Sequence, residues 1–314
     1  YGDHRDLHSF PTHALPISYK EAKSLLTDER RLSFGGWLRK KGWKHLVGWV
    51  MVVYSIFPIV YVISGSFANA DQFTSTLFSS FTTDNYVDLF NDPYRPFANW
   101  FVNTLFISGT AAIGSVFLSA LAAYAFSRLR FTGRRAGLLT LILVQMFPQL
   151  LALVAIYALL VNIGNVFPFL GIGSQLALIM VYLGGALGAN TYLMYGFFNT
   201  IPKELDEAAK IDGATHTQIF YGIILRLAAP ILAVIGLLAF IGTSSDFVLA
   251  NIILTKPESK TLAVGLYMYV SDQFGQRWTI FAAGAVLAAI PIVALFLYLQ
   301  KYIVSGLTGG AVKG

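Results

Sequence analysis

Cysteine is absent from this chain of 314 residues, and charged residues make up only 12% of it. The absence of cysteine excludes disulfide frameworks, thiolate metal sites and cysteine nucleophiles. The scarcity of charge excludes an ordinary soluble domain, in which about 25% of the residues are charged. Apolar residues instead reach 56% of the chain. A soluble protein of this composition would have too little polar surface to cover itself, so the sequence indicates an integral membrane protein.

The sequence also lacks two common catalytic motifs, the phosphate-binding G-x-x-x-x-G-K-[ST] and the zinc-binding H-E-x-x-H. Of the five histidines, four precede the first apolar run and His216 follows the fourth, so no histidine pair lies within the apolar runs. We therefore expect that the chain is not an enzyme and that it binds no metal and no cofactor of its own. The net charge of +6 is attributed to membrane topology rather than to nucleic-acid binding.

The long apolar runs predict an all-α protein with six membrane-spanning helices, because one span needs roughly 20 apolar residues. One charge-free run, 136–202, is too long for a single span, and the polar stretch 162–174 divides it in two. The predicted spans lie near residues 46–66, 101–126, 137–160, 175–197, 227–247 and 278–300. The spanning domain is thus predicted to occupy residues 46–300.

The orientation follows from the basic residues, which collect on cytoplasmic loops. Eighteen Lys and Arg residues lie on the side of the two chain ends, and four lie on the opposite side. Both ends are therefore predicted to be cytoplasmic. Residues 1–18 differ in character from the rest, and are interpreted either as a non-native leader or as a disordered one. Residues 19–45 are predicted to be a polar, amphipathic cytoplasmic segment, and residues 301–314 a cytoplasmic tail.

The most informative region is the 201–230 loop, between the fourth and fifth spans. Acidic residues begin a predicted helix, where the helix dipole favours them. Gly213 is expected to end this helix in a left-handed conformation, and Thr215 to cap a second one. We expect the second helix to present four apolar side chains to a soluble partner: Ile219, Phe220, Ile223 and Ile224. The predicted helix–glycine–helix shape of the loop is also compatible with an ordinary hairpin that only connects two spans.

The residue pattern of the 201–230 loop resembles the EAA loop of ATP-binding-cassette (ABC) importer permeases, written E-A-A-x3-G-x9-I-x-L-P. Six residues occupy the positions of that motif in register: Glu207, Ala208, Ala209, Gly213, Ile223 and Leu225. Arg226 stands where the motif has its final proline, and we expect Pro230 to break the helix instead.

Further segments are similar to the MalG-type permease subunits of maltose and maltodextrin importers. They are QMFPQ at 145–149, YGFFNTIP at 195–202, LTKPESKTLAVGL at 254–266 and the ending VSGLTGGAVKG. The resemblance implies the MetI-like permease fold in a bacterial cell membrane, and inward movement of oligosaccharides by alternating access. It also implies a second, MalF-type permease subunit, a MalK-type ATPase homodimer that binds ATP and Mg, and an extracytoplasmic sugar-binding protein.

The resemblance carries over to particular residues. Glu207 would pair with a basic residue of the ATPase. The glycine-rich tail would run as an extended strand between the two ATPase subunits, through Gly306, Thr308, Gly309 and Gly310. The 255–261 segment would enter the sugar cleft of the binding protein, through Thr255, Lys256, Pro257, Glu258 and Ser259.

Polar residues within the predicted spans have two interpretations. Four of them are candidates for a translocation route: Gln145, Gln149, Asn190 and Ser244. The alternative is that each makes a hydrogen bond between helices. Three other functions also remain open. They are the same architecture serving another carbohydrate or a polyol phosphate, a secondary transporter, and a membrane-embedded enzyme. The last two are disfavoured, because the spans hold no acidic residue except Asp246 and no convergent catalytic set.

Overall fold

A computed structural model describes residues 41–69, 77–78, 80–271 and 276–311 of the chain. The predicted leader and most of the polar segment, residues 1–40, lie outside the described residues, as do residues 312–314 of the tail. Every long regular element in the described part of the chain is a helix, which confirms the all-α prediction.

The structure contains thirteen α-helices within the described residues, together with short 3-10 turns at Pro168–Leu170 and Pro257–Ser259. The helices are α1 Trp43–Ser66, α2 Asp84–Asn91, α3 Phe97–Arg128, α4 Arg134–Gln145, α5 Gln149–Val166, α6 Gln175–Ala186, α7 Ala189–Phe198, α8 Glu204–Ile211, α9 His216–Leu227, α10 Ala229–Ser244, α11 Val248–Ile253, α12 Leu262–Tyr267 and α13 Trp278–Ala311. Helix α9 includes a π-helical turn at Phe220–Ile224.

Within the described residues, three helices are long and apolar enough to cross a membrane by themselves: α1, α3 and α13. Two bent pairs raise that number to five if each pair forms one span: α6 with α7, bent by 48°, and α9 with α10, bent by 78°. The third predicted span, 137–160, is divided between α4 and α5. The total of six spans therefore stays a prediction.

The breaks in the apolar segments have local causes. Pro148 occupies the N-cap of α5, three residues after the end of α4 at Gln145, and it cannot continue a helix because it lacks an N–H. Pro230 lies in the first turn of α10, where the missing N–H is tolerated. This confirms the expectation that Pro230 interrupts the helix in place of the motif proline. By contrast, the expected polar break at 162–174 begins later, since α5 continues to Val166.

The glycine-rich tail was expected to be extended, but α13 continues without interruption to Ala311. That expectation is wrong for Gly306, Thr308, Gly309 and Gly310. Extending a helix that already exists adds one hydrogen bond per residue without a new nucleation step. Each glycine still costs about 1 kcal/mol relative to alanine, so the helix runs against the local preference of the tail.

The core is built around α3, which packs against α6, α7 and α10. One apolar cluster joins α3, α7 and the 201–230 loop through residues such as Tyr124, Phe198 and Ile219. A second joins α3 to α5, α6 and α11. A third lies at the other end of α3, around the fully buried Trp100 and Tyr269. Helix α3 thus contacts all three clusters.

Candidate functional site

The 201–230 loop contains the predicted helix–glycine–helix. Helix α8 ends at Ile211, and Gly213 follows in the left-handed conformation with φ of 82°. The Gly213 amide donates to the carbonyl of Lys210 at 3.0 Å, and the Ala214 amide donates to that of Ala209 at 2.9 Å. This pair of bonds is a Schellman motif, which satisfies the last carbonyls of a helix. The prediction for Gly213 is confirmed.

The start of α9 also confirms the sequence prediction. The amide of Gln218 donates to Thr215 Oγ1 at 3.3 Å, and the amide of Thr215 donates to Gln218 Oε1 at 2.8 Å. These reciprocal bonds form a capping box. Because both helices are capped at the turn, the direction of the chain changes sharply between them.

Burial separates the motif residues into two groups. Glu207, Ala208 and Gly213 are exposed, whereas Ala209, Ile223 and Leu225 are half-buried. The expectation that α9 presents its apolar residues to a partner is wrong for three of the four, because Ile219, Phe220 and Ile224 are buried in the core of this chain. They pack beside Tyr124 and Phe198 instead. The exposed part of α8 that includes Glu207 and Ala208 is the α8 face.

An ion pair that the sequence did not reveal holds α8 in place. Arg128, the last residue of α3, places its Nε 2.5 Å from Oδ2 of Asp206, and the two side chains are 4% and 8% exposed. Arg128 Nη2 also donates to the carbonyl of Ile201 at 2.9 Å. The acidic run at the start of α8 was the only available signal. It could not distinguish Asp206, which faces inward, from its exposed neighbour Glu207.

A second contact joins the same end of α3 to α9. Tyr124 Oη lies 3.3 Å from the carbonyl oxygen of His216, to which it donates, and 3.3 Å from Nδ1 of that histidine. Around these contacts lies an open cleft of about 360 Å³. Its lining includes the cationic residues Arg128, Arg130, Arg134, Lys203 and Lys210 and the acidic residues Asp206 and Glu207. The cleft is basic on balance.

The 255–261 segment lies at the opposite end of α3. Thr255, Lys256, Pro257 and Glu258 are exposed, and Ser259 is half-buried. A 3-10 turn shapes the segment, and Ser259 Oγ donates to the carbonyl of Lys256 at 2.9 Å. The structure therefore places these residues on one surface, as contact with a partner requires.

Three side chains of α3 hold the 255–261 segment and the residue after it. Trp100 Nε1 donates to the carbonyl of Pro257 at 2.7 Å. Asn103 Nδ2 donates to the carbonyls of Glu258 and Lys260 at 2.7 and 3.0 Å. Thr104 Oγ1 accepts from the amide of Leu262 at 2.7 Å. Because these residues are three and four positions apart, they share one face of the helix.

Ionic contacts beside this region join residues that flank the ends of α2, α3 and α13. Asp92 Oδ2 lies 3.2 Å from Nη1 of Arg95 and 3.5 Å from Nη1 of Arg277. The Arg95 guanidinium lies 4.9 Å from the centre of the Tyr269 ring. Burial, together with the nearby Asp92 charge, raises the pKa of Tyr269 to about 12. This phenol therefore stays protonated, and the charges around it belong to Asp88, Asp92 and the two arginines.

Hydrogen bonds are described for two of the four candidates for a translocation route. Gln145 Nε2 donates to the carbonyl of Gly185 at 3.1 Å, and Ser244 Oγ donates to Ile241 of its own helix at 3.0 Å. Asn190 is half-buried in the first turn of α7. The side chain of Gln149 lies outside the described residues. The Gln145 bond joins two helices, and the Ser244 bond lies within one helix. A role of these residues in translocation stays a prediction.

The described residues contain no group of three or more His, Asp and Glu side chains that could hold a metal ion. Their arrangement instead offers two exposed protein surfaces, the α8 face and the 255–261 segment. Helix α3 contacts both.

Comparison with known proteins identifies relatives over most of the chain. The family described as "Binding-protein-dependent transport system inner membrane component" matches residues 97–309. The galactooligosaccharide transport permease GanQ of Bacillus subtilis is 43% identical, over 84% of this chain and 92% of that protein. The maltodextrin permease MdxG of the same species is 40% identical, over 84% and 93%. The maltose/maltodextrin permease MalG of Escherichia coli is 36% identical, over 86% and 95%.

A solved structure shares the fold. A chain of a bacterial ABC transporter that imports the acidic polysaccharide alginate superimposes with a TM-score of 0.73 at 23% sequence identity, over 86% of this chain and 98% of that chain. The predicted ABC importer permease fold is thereby confirmed, and so is the resemblance to MalG-type permeases.

Proposed function

The chain belongs to the family of binding-protein-dependent transport system inner membrane components, and we propose that it is a permease subunit of an ATP-driven oligosaccharide importer. It is a multi-pass protein of the bacterial cell membrane. In this function it forms part of the translocation pathway, and it moves its cargo inward by alternating access. The chain performs no hydrolysis itself, and ATP and Mg bind to a separate ATPase.

The observation that carries this proposal is the exposed face of α8. Glu207 and Ala208 are exposed, while the next residue on either side is buried or half-buried. The capped turn at Gly213 and the Arg128–Asp206 pair hold this face in one orientation. A rigid, exposed acidic helix suits docking into a cleft of a MalK-type ATPase homodimer. There, Glu207 pairs with a basic residue of the ATPase.

The remaining partners follow from the other surface and from the chain ends. The 255–259 residues, of which the first four are exposed, contact an extracytoplasmic sugar-binding protein. A MalF-type second permease subunit completes the pathway. Both chain ends are cytoplasmic, and the helical end of α13, including Gly306 and Gly310, extends toward the ATPase. The basic residues around the 201–230 loop support this orientation.

The proposed cargo is a maltodextrin-type oligosaccharide, because relatives with that function are up to 40% identical over most of the chain. A second candidate is a galactooligosaccharide, since the GanQ permease is 43% identical. Both are neutral oligosaccharides, so the two candidates differ in the geometry of the cargo and not in its charge.

The test is co-purification in mild detergent, followed by an ATPase assay with and without loaded binding protein. Recovery of an ATPase and a second permease, with hydrolysis stimulated by binding protein loaded with maltodextrin, is the expected result. If only binding protein loaded with galactooligosaccharide stimulates hydrolysis, the cargo is a galactooligosaccharide and the proposed transport function still holds. Purification of the chain without an ATPase would contradict the proposed function.

A further inference from the structure

Helix α3 differs from the other long apolar elements in the described part of the chain because it is a single helix without a proline. It comprises 32 residues without a proline, whereas α1 and α13 contain Pro58 and Pro291. The α6–α7 and α9–α10 pairs are bent by 48° and 78°. At a rise of about 1.5 Å per residue, α3 is about 48 Å long. That length exceeds the hydrocarbon thickness of a bilayer, about 30 Å.

One end of α3 holds the 255–261 segment by its backbone. The carbonyls of Pro257, Glu258 and Lys260 all accept hydrogen bonds from Trp100 or Asn103. Trp100 is fully buried, so its indole is fixed by packing as well as by its hydrogen bond. Because side chains of α3 bind the main chain here, a displacement of the segment moves the helix with it.

The other end of α3 holds the 201–230 loop. Arg128 pairs with Asp206 of α8 and donates to the carbonyl of Ile201, and one turn earlier Tyr124 donates to the carbonyl of His216. The ion pair is almost fully buried. A buried pair resists separation, because separation would leave an uncompensated charge inside the protein.

We propose that α3 acts as a rigid connection between the two surfaces. When the binding protein binds at the 255–261 segment, α3 transmits the resulting movement to the α8 face. Asn103 and the Arg128–Asp206 pair are the positioning residues at its two ends. This inference rests on the proposed function. Transmission requires that the two ends move together, and an unbroken helix attached at both ends meets that requirement. The bent pairs do not, since each can change its angle at the bend.

The test uses the complete importer, with both permeases, the ATPase and the binding protein, reconstituted in lipid vesicles. The measured quantity is the ATPase rate with loaded binding protein divided by the rate without it. Asp206→Asn removes the charge at the inner attachment, and Asn103→Ala removes two hydrogen bonds at the outer one. Matched controls are Glu204→Gln, an exposed acid on α8, and Asn162→Ala, whose side chain donates to its own helix.

Each test variant is expected to lower the stimulation ratio about fivefold or more, the range of typical allosteric couplings. In Asn103→Ala, assembly and the unstimulated rate are expected to stay unchanged, which a merely structural defect would not allow. The double variant is expected to lose no more than the more affected single variant, because both substitutions interrupt one path. The two controls should retain the full ratio.

Three outcomes separate the alternatives. If both single variants keep the full stimulation ratio, the proposed transmission through α3 is wrong. Losses that multiply in the double variant would also overturn it, because they indicate two independent paths. If Asp206→Asn prevents assembly, Asn103→Ala decides alone, and an unchanged ratio in that variant overturns the inference. Failure of the unmodified importer to respond to binding protein would instead refute the proposed function.

Discussion

Replacing Gly213 with alanine tests the left-handed turn between α8 and α9 without introducing a steric clash. Beyond the two neighbouring residues, no heavy atom lies within 4 Å of the position that the new Cβ would occupy, so the cost comes from the backbone alone. Gly213 has φ of 82°. A left-handed conformation costs an L-residue about 1–2 kcal/mol. This cost should populate open states of the turn about 5- to 30-fold more than in the unmodified protein.

Hydrogen exchange of the amides at 214–218 measures this effect, because exchange follows the population of the open state. We expect these amides to exchange about 5- to 30-fold faster in Gly213→Ala. Gly213→Asn should show a smaller increase, since asparagine tolerates this conformation better. Gly196→Ala is the matched control, because Gly196 is an exposed helical glycine with equally open surroundings. Unchanged exchange in Gly213→Ala would refute the reasoning.

Three further perturbations test the remaining assignments. Glu207→Ala should abolish uptake while membrane insertion and abundance stay normal on immunoblots, and uptake at the unmodified rate would exclude the ATPase contact. Gly265→Ala would place a Cβ 2.2 Å from the indole of Trp100. Displacement of the ring should destabilise the protein by about 1–3 kcal/mol, and an unchanged melting temperature in detergent would contradict this. Because the chain has no cysteine, Ala208→Cys and Glu258→Cys each introduce a single label site. Impermeant maleimide should label Glu258→Cys in intact cells and Ala208→Cys only after permeabilisation, and the reverse would overturn the orientation.

The features that the sequence predicted well are those decided within a few neighbouring residues. The turn at Gly213 and the cap at Thr215 are both confirmed. Each depends on hydrogen bonds that reach only three to five residues along the chain. The motif that includes Glu207 also has fixed spacing. Such local patterns are therefore visible in the order of the residues alone.

The path of the apolar segments was predicted less well. Apolar composition indicates that a segment lies in the membrane, but it does not determine the direction of the helix. The predicted fourth span became α6 and α7 with a 48° bend. The tail became part of α13, although its glycines disfavour a helix.

The sequence by itself determined that this is an all-helical membrane protein and that the 201–230 loop is its most informative surface. Only the tertiary structure decided which residues of that loop face outward. Asp206 and Glu207 are adjacent acids, yet Asp206 is buried against Arg128 while Glu207 is exposed. Likewise, Ile219, Phe220 and Ile224 are buried in the core and are not presented to a partner. The physical reason is that burial depends on contacts between segments that are distant in the sequence. No pattern within the loop records where α3 and α7 lie.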